Sequence, residues 1–482
     1  MSEEILINVT PQETRIAVIE QGVVQELHIE RNTSLGLVSN IYSGEVCRVL
    51  PGMQSAFVEI GLQRAAFLHI ADILECCADS EKTIQEVLHE GQPLMVQVIK
   101  EPIGSKGARL TTQISIAGRF LVYLPQQQHI GVSQRICDEA GRESLRERLV
   151  TLSPEDRQGG YIIRTMSENA SDSELLADVE YLHKVWGNIQ AASQDAPKRS
   201  LIYQDLSLPM RILRDVVGEQ TERILVDSRE TCQKLLDFAE HYAVGAVSRL
   251  ELYQGERPLF DMYNVELEIE KAMARKVELK SGGYLIFDQT EALTTVDVNT
   301  GSFVSGRSLS DTIFKTNLEA AQSIARQLRL RNLGGMIIID FIDMEEDAQR
   351  DAVLEELRKA VAKDRVRAGI NGFSALGLVE MTRKRTRESL AHILCETCPA
   401  CQGRGELKTA QTVCYEILRE LLREARQFNA REFRILAAQN VIDLFLDEES
   451  QSLANLSDFI GKPVSLQVET QYSQESFDIV LL

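Results

Sequence analysis

EALTTVDVNTG at residues 291–301 and LGGMIIIDFIDM at residues 333–344 bracket a segment whose periodicity changes twice. The first piece alternates, so in an extended chain Thr295, Asp297 and Asn299 share one face. Between the two pieces, from Thr312 to Arg331, the apolar residues Leu318, Ala321, Ile324, Ala325 and Leu328 recur at helical spacing. Gly334 and Gly335 fit the C-terminus of that helix, where glycine takes the left-handed conformation without steric cost. The run Met336 to Ile342 is apolar enough for a strand covered on both faces. Strand, helix, strand predicts a parallel crossover of fixed hand. Asp340 is then an ionisable group inside an apolar run, which is costly unless it is paired or binds a cation. A neighbouring strand bringing Asp297 and Asn299 beside it makes a hard-oxygen set that suits magnesium, an ion that keeps several of its own waters. A carboxylate that closes a strand end, or pairs with an arginine, is the plainer alternative.

The bulk properties bound what such a site serves. A chain of 482 residues holds several domains, and 44% hydrophobic with 26% charged residues is a globular composition. The start, MSEEILINV, has no basic region before a long apolar core, and no apolar run approaches the roughly 20 residues of a membrane helix. A cytoplasmic protein is expected. The net charge of −20 argues against broad coating of nucleic acid, so any polyanion must be met by local basic patches. Arg326, Arg329 and Arg331, then Arg358, Lys359, Lys363, Arg365 and Arg367, then Arg383, Lys384, Arg385 and Arg387 gather around the carboxylate stretch. Each group taken alone reads as a solvated face.

Outward from the centre, residues 3–33 alternate through ILINV, TRIAVIE and VVQELHIE as an antiparallel meander. Residues 39–112 read as a small barrel of short strands. In SAFVEIG and AAFLHI, Phe57 and Phe67 fall on the more polar face, where exposed aromatics suit base stacking. Filling an interdomain contact is the structural alternative. Lys106, in GSKGARL, is placed to meet a phosphate. In residues 113–209, FLVYLP and GGYIIRT read as strands and Asp172 to Ala192 as an amphipathic helix carrying Leu176, Val179, Leu182, Val185, Trp186 and Ile189. Arg164 beside Thr165 makes a phosphate clamp or an ordinary surface pair. Residues 210–280 carry helix, strand and helix with nothing that demands chemistry.

Nine cysteines are scattered singly apart from Cys76/Cys77 and one cluster, unlike a secreted disulfide framework. The cluster is CETCPACQGRG at 395–405. Cys398 and Cys401 followed by two spaced glycines form a zinc-knuckle signal, with a plain thiol pair as the alternative. One pair supplies two of four tetrahedral ligands, so Cys395 or His392 completes the site, or a second copy brings its own pair and zinc becomes a dimer clasp. A helix with Val413, Ile417, Leu418, Leu421 and Leu422, then FRILAA and VSLQVE, reads as a small α/β tail domain suited to dimerisation.

Taken together, TTVDVNTG, NLEAAQSIARQLRLRNLGGMIIIDFIDM, FSALGLVEMTRKRTRESL and CPACQGRG resemble the ribonuclease E/G family along essentially the whole chain. The absence of a long disordered C-terminal extension resembles its shorter members. The resemblance implies a magnesium-dependent endoribonuclease selective for single strands, stimulated by a 5′-monophosphate. It implies A/U-rich cleavage sites, products with 5′-phosphate and 3′-hydroxyl ends, and work in ribosomal RNA maturation (the 16S 5′ end) and messenger RNA decay. The implied fold is multidomain α+β and α/β. An RNase H-like domain (1–38 and 210–272) is interrupted by an OB-type RNA-binding barrel (39–112) and a 5′-sensor domain (113–209). A DNase I-like catalytic domain (273–394), a zinc link (395–408) and a small α/β dimerisation domain (409–482) follow. Matched motif by motif, Asp297 and Asp340 correspond to the magnesium-binding aspartates and Asn299 to the asparagine that orients them. Phe57, Phe67 and Lys106 correspond to RNA-binding positions of the barrel. Arg164 and Thr165 correspond to the 5′-phosphate clamp, with Gly118, Val122 and Arg367 as neighbours. Cys398 and Cys401 look like the zinc pair shared between two subunits of a homodimer. Where ribonuclease E has an arginine near the 5′ pocket, this chain has Gln134 followed by Arg135.

Overall fold

The computed structural model describes residues 2–33, 36–73, 83–102, 107–133, 136, 139–152, 159–168, 170–218, 220–301 and 309–482. Lys106, Gln134 and Arg135 lie outside the described residues. The chain divides into two compact units, Met1–Ile393 and Leu394–Leu482. No helix among the described residues is long and apolar enough to cross a membrane.

In the first unit the N-terminal strands Glu3–Val9, Glu13–Glu20 and Val23–Arg31 form the expected antiparallel meander. The sheet is completed by Thr221–Val226, which runs parallel to Glu3–Val9, and by Leu250–Leu252 beyond it. Ile5, Ile7, Ile16 and Val18 alternate onto one face and pack there with Leu213, Leu235 and Ala239. The chain between these strands makes two further bodies. Strands Ile41–Leu50, Ser55–Glu59, Ala66–His69, Arg109–Thr111 and Pro93–Lys100 pair in that order, and the last pairs back to the first, closing an OB-like barrel. Its interior is so tight that a Cβ on Gly44 would lie 2.7 Å from Cγ1 of Val58. The second body is a four-stranded sheet of Ile116–Ala117, Leu121–Leu124, Ile130–Val132 and Gly160–Ile163 with helices Glu139–Leu152 and Asp172–Asp195. The longer helix starts on a capping box: Ser171 Oγ accepts from the Glu174 N–H, and the Glu174 carboxylate accepts from the Ser171 N–H. Its buried stripe is Leu175, Val179, Leu182 and Ile189, and Leu176 is exposed, one position out of phase with the sequence expectation.

The decisive segment forms the centre of a mixed six-stranded sheet, in the order Lys276–Glu278, Tyr284–Gln289, Leu293–Asn299, Gly335–Asp340, Val379–Arg383, Ala368–Phe373. Leu293–Asn299 and Gly335–Asp340 are parallel, joined through helix Leu309–Leu330. Ala320, Ile324 and Leu328 of that helix, with Val353 and Leu357 of helix Asp347–Val361, cover Val296, Ile337 and Ile339. Each of the two fully buried isoleucines contributes roughly 2–3 kcal/mol.

Three expectations are corrected here. The apolar run is covered on one face: Ile337 and Ile339 are buried, whereas Met336 is 52% exposed and Asp340 is exposed. Both helices pack on the isoleucine side, which leaves the aspartate side open. The helix is terminated by Asn332 in the left-handed conformation (φ 50), with Leu333 N–H bonded to the Leu328 carbonyl at 2.9 Å. Gly335 instead opens the next strand at φ +101, and a Cβ there would meet the Arg385 guanidinium at 2.8 Å. The arginines of the same helix do not form a basic surface. Arg329 and Arg331 are buried, and Arg326 bonds to Glu268 and to the Val24 carbonyl of the meander.

The second unit is a three-stranded sheet with Phe433–Ala437 at its centre, parallel to Val464–Val468 and antiparallel to Phe477–Leu481. Val413, Ile417 and Leu421 of helix Ala410–Gln427 pack on Phe433, Ile435 and Phe445.

Candidate active site

Asp297 and Asp340 are register partners on the two central parallel strands. Alternation turns Val296, Val298, Ile337 and Ile339 into the core, so both carboxylates point to the open face. Asn299, two residues on and on the same face, donates from Nδ2 to Asp297 Oδ2 at 2.8 Å. That bond fixes one carboxylate oxygen and leaves the other for a cation. Asp340 is held above the usual carboxylate range, first by partial burial and then by the negative charges of Asp297 and Asp343. Two like charges brought together at the end of paired strands are destabilising by themselves and favour a bound cation. Among the described residues no group of three or more His, Cys, Asp or Glu side chains converges on one point. Two carboxylates without a full protein cage fit magnesium, which retains waters, better than calcium or zinc.

On the barrel, Phe57 and Phe67 are directly paired across neighbouring strands. Their rings sit edge to face with centroids 6.2 Å apart, and His69 follows Phe67 at 6.5 Å. Both phenylalanines are half-buried, while Ala56, Val58, Ala66 and Leu68 fill the interior, so the aromatic pair lies on the outer face.

Gly118, Val122, Arg164 and Thr165 come together in the four-stranded sheet. Val122 pairs with Ala117 and with Ile162, two residues before Arg164. Arg164 Nη1 donates to the Gly118 carbonyl, and its N–H donates to the Phe120 carbonyl at 2.8 Å. Arg367 is exposed just before strand Ala368–Phe373, and no contact among the described residues joins it to Arg164. Two acidic residues here were not singled out in the sequence. Asp178 accepts from the N–H groups of Arg119, Phe120 and Leu121 at 3.0, 2.9 and 2.8 Å, and a Cβ on Gly118 would lie 2.5 Å from both of its oxygens. Glycine at 118 is therefore required by this carboxylate. Asp215 accepts from Arg164 Nη2 at 2.7 Å. The signal for Asp178 was its place on the buried stripe of the helix; Asp215 had none, since its partner lies 51 residues away.

In the second unit, the loop after Cys398 turns back on itself with Gln402, Gly403 and Gly405 at φ 50, +86 and +81. Gln402 N–H bonds to the Cys398 carbonyl at 2.8 Å and Arg404 N–H to the Cys401 carbonyl at 3.0 Å. The Cys401 thiol is lowered by the N–H groups of Gly405 and Gly403 and then by the Cys398 thiol, the environment a thiolate ligand needs. The two thiols are half of the donors that a tetrahedral zinc ion would take.

The carboxylate pair on an open sheet face and the aromatic-faced barrel belong to a recognised class. The model of the ribonuclease E/G family matches residues 115–386, and the model described as the RNase E/G thioredoxin-like domain matches residues 397–481. The chain belongs to the ribonuclease E/G family. It is 53% identical over 491 residues to Ribonuclease G of Escherichia coli strain K12, covering 100% of both chains. To Ribonuclease G of Haemophilus influenzae it is 50% identical, covering 99% of each. To Ribonuclease E of Escherichia coli strain K12 it is 37% identical over 464 residues, covering 94% of this chain and 43% of the relative.

Proposed function

We propose that this chain is a magnesium-dependent endoribonuclease that cuts single-stranded, A/U-rich RNA and is stimulated by a 5′-monophosphate. The endoribonuclease class itself follows from family membership. The observation that carries the metal-dependent hydrolysis is the Asp297–Asp340 pair, in register on adjacent strands and open to one side. Asp297 and Asp340 would hold the ion, and Asn299 keeps the Asp297 carboxylate from rotating away. Magnesium at such a site supplies a more acidic water and charge stabilisation at a scissile phosphate. The carboxylates would orient an attacking water opposite the departing 3′ oxygen, so that products carry 5′-phosphate and 3′-hydroxyl ends. Phe57 and Phe67 offer ring faces and edges to unpaired bases, which a duplex conceals. Lys106, outside the described residues, is assigned to an RNA phosphate by its motif alone. Arg164 and Thr165, beside Gly118 and Val122, bind a terminal phosphate separately from the cut, with Arg367 joining on the substrate side. Maturation of the 16S ribosomal RNA 5′ end and messenger RNA decay are the roles such specificity serves.

The test is one A/U-rich oligomer supplied with a 5′-monophosphate or a 5′-hydroxyl, single-stranded or annealed to its complement. The monophosphorylated single strand is expected to be cut fastest, with 3′-hydroxyl products, and the duplex to be spared. Products ending in a cyclic phosphate would contradict the hydrolytic mechanism, and equal rates for the two ends would remove the 5′ pocket.

The zinc pair completes its coordination across a twofold axis, each of two copies bringing Cys398 and Cys401. Cys398→Ser is expected to lose zinc and shift the protein toward monomer in sedimentation velocity. An unchanged dimer with zinc absent would exclude the shared site, and zinc retained by a monomer would assign the remaining ligands, Cys395 among them, to one chain.

A further inference from the structure

We propose that Asp215 is a positioning residue of the 5′-end pocket, gripping one edge of the Arg164 guanidinium so that the other edge is presented to a terminal phosphate. This rests on Arg164 being the phosphate-binding residue. The Arg164 guanidinium is held through both Nη atoms: Nη1 donates to the Gly118 carbonyl and, at 3.5 Å, to the Arg119 carbonyl, and Nη2 donates to Asp215 Oδ1 at 2.7 Å. Its Nε–H and its second Nη2–H have no partner among the described residues. Both remain available to the oxygens of a phosphate.

Asp215 is itself immobilised. Arg214 donates from Nε to Oδ1 at 3.1 Å and from Nη2 to Oδ2 at 2.9 Å. Arg214 is buried, and its Nη1 donates to the Ala117 carbonyl at 3.1 Å, next to Gly118. The carboxylate therefore cannot follow Arg164 if the guanidinium swings, and it ties the end of helix Leu208–Asp215 to the residue that follows strand Gly160–Ile163. Although burial opposes ionisation of Asp215, the two arginines hold it below the usual carboxylate range, so it stays an acceptor. An arginine side chain loses considerable rotamer entropy on binding, and Asp215 has that ordering in place before the phosphate arrives. A carboxylate that competed with the phosphate would take Nε as well; Asp215 bonds to Nη2 and leaves Nε open.

The experiment measures kcat/KM of the full-length protein on one RNA with a 5′-monophosphate and the same RNA with a 5′-hydroxyl. The ratio of the two cancels any uniform loss of active protein, so a merely structural defect does not move it. Asp215→Ala is expected to lower the ratio toward one, by roughly tenfold where the wild-type preference is that large, through KM of the monophosphorylated RNA. Asp215→Asn keeps an acceptor oxygen and is expected to lower it less. A ratio in Asp215→Ala that is unchanged overturns the proposal. A ratio that rises also overturns it and marks Asp215 as a competitor of the phosphate. Arg164→Ala separates the two levels: if it retains the preference, the 5′ pocket itself is misassigned, whereas loss in Arg164→Ala with retention in Asp215→Ala removes only the role of Asp215.

Discussion

Asp340→Asn is expected to cut RNA at least roughly 10³-fold more slowly than the wild type while folding at least as well. The first half follows from the chemistry. A metal held by two carboxylates contributes several kcal/mol of charge stabilisation, and each 1.4 kcal/mol is tenfold in rate. Replacing one anionic ligand by a neutral amide removes much of that. The second half follows from the surroundings. Asp340 is exposed and its side chain makes no hydrogen bond or ion pair with another described residue, so asparagine breaks nothing. It also relieves repulsion from Asp297 and Asp343. Rate and thermal transition should therefore move independently, the rate falling and the transition holding or rising. A non-catalytic RNA-binding scaffold predicts the reverse pairing, with no activity to lose and no reason for two carboxylates to face each other. A nucleotide phosphotransferase predicts turnover of small nucleotides and indifference to Phe57 and Phe67.

Asp364→Ala is expected to destabilise the mixed six-stranded sheet by about 3–5 kcal/mol, the cost of leaving a buried charge without its partner. The side chains of Arg383 and Asp364 are 4% and 6% exposed, with Arg383 Nε on Asp364 Oδ2 at 2.7 Å. Arg383 also donates from Nη1 to the Leu333 carbonyl at 2.8 Å, and its backbone pairs with Gly335 at the start of the Asp340 strand. Loss of Asp364 thus strands a guanidinium against the strand that carries the site. Urea unfolding should show the midpoint fall in Asp364→Ala and largely recover in Asp364→Leu combined with Arg383→Met, since removing both charges leaves nothing unpaired. A single variant as stable as the wild type would mean that water reaches Arg383.

The carboxylate pair could be read before any coordinates because both signals are local. Period-two alternation put Asp297 and Asn299 on one face, and the glycine-flanked isoleucine run placed a second strand one helix later. Parallel pairing then brought Asp297 opposite Asp340. The barrel, its outward phenylalanines and the knuckle glycines Gly403 and Gly405 were equally local. What failed depended on the surroundings. Met336 and Ile338 made the strand look two-sided, although an apolar residue near a site need not be buried. Asn332 displaced glycine from the helix end because asparagine also tolerates the left-handed conformation. Arg326, Arg329 and Arg331 looked like a polyanion surface, but Arg326 and Arg329 face the meander, whose Val24, Gln25 and Glu20 are some 300 positions earlier in the chain, and Arg331 is buried over the Phe287 ring. Asp215 belongs to the same category: its partner is set by how the four-stranded sheet packs on its helices, and no spacing in the sequence announces it, whereas Asp178 lay on the buried helical stripe without its partners being legible.

The most direct measurement is the cleavage rate of a single 5′-monophosphorylated, A/U-rich RNA oligomer as magnesium is titrated into metal-free wild-type protein and into Asp340→Asn. Cleavage that is absent in chelator, appears saturably with magnesium in the wild type and stays near background in the variant is the predicted result. Full-rate cleavage in chelator, or the same magnesium curve for both proteins, would contradict the assignment of Asp297 and Asp340 as the metal-holding pair.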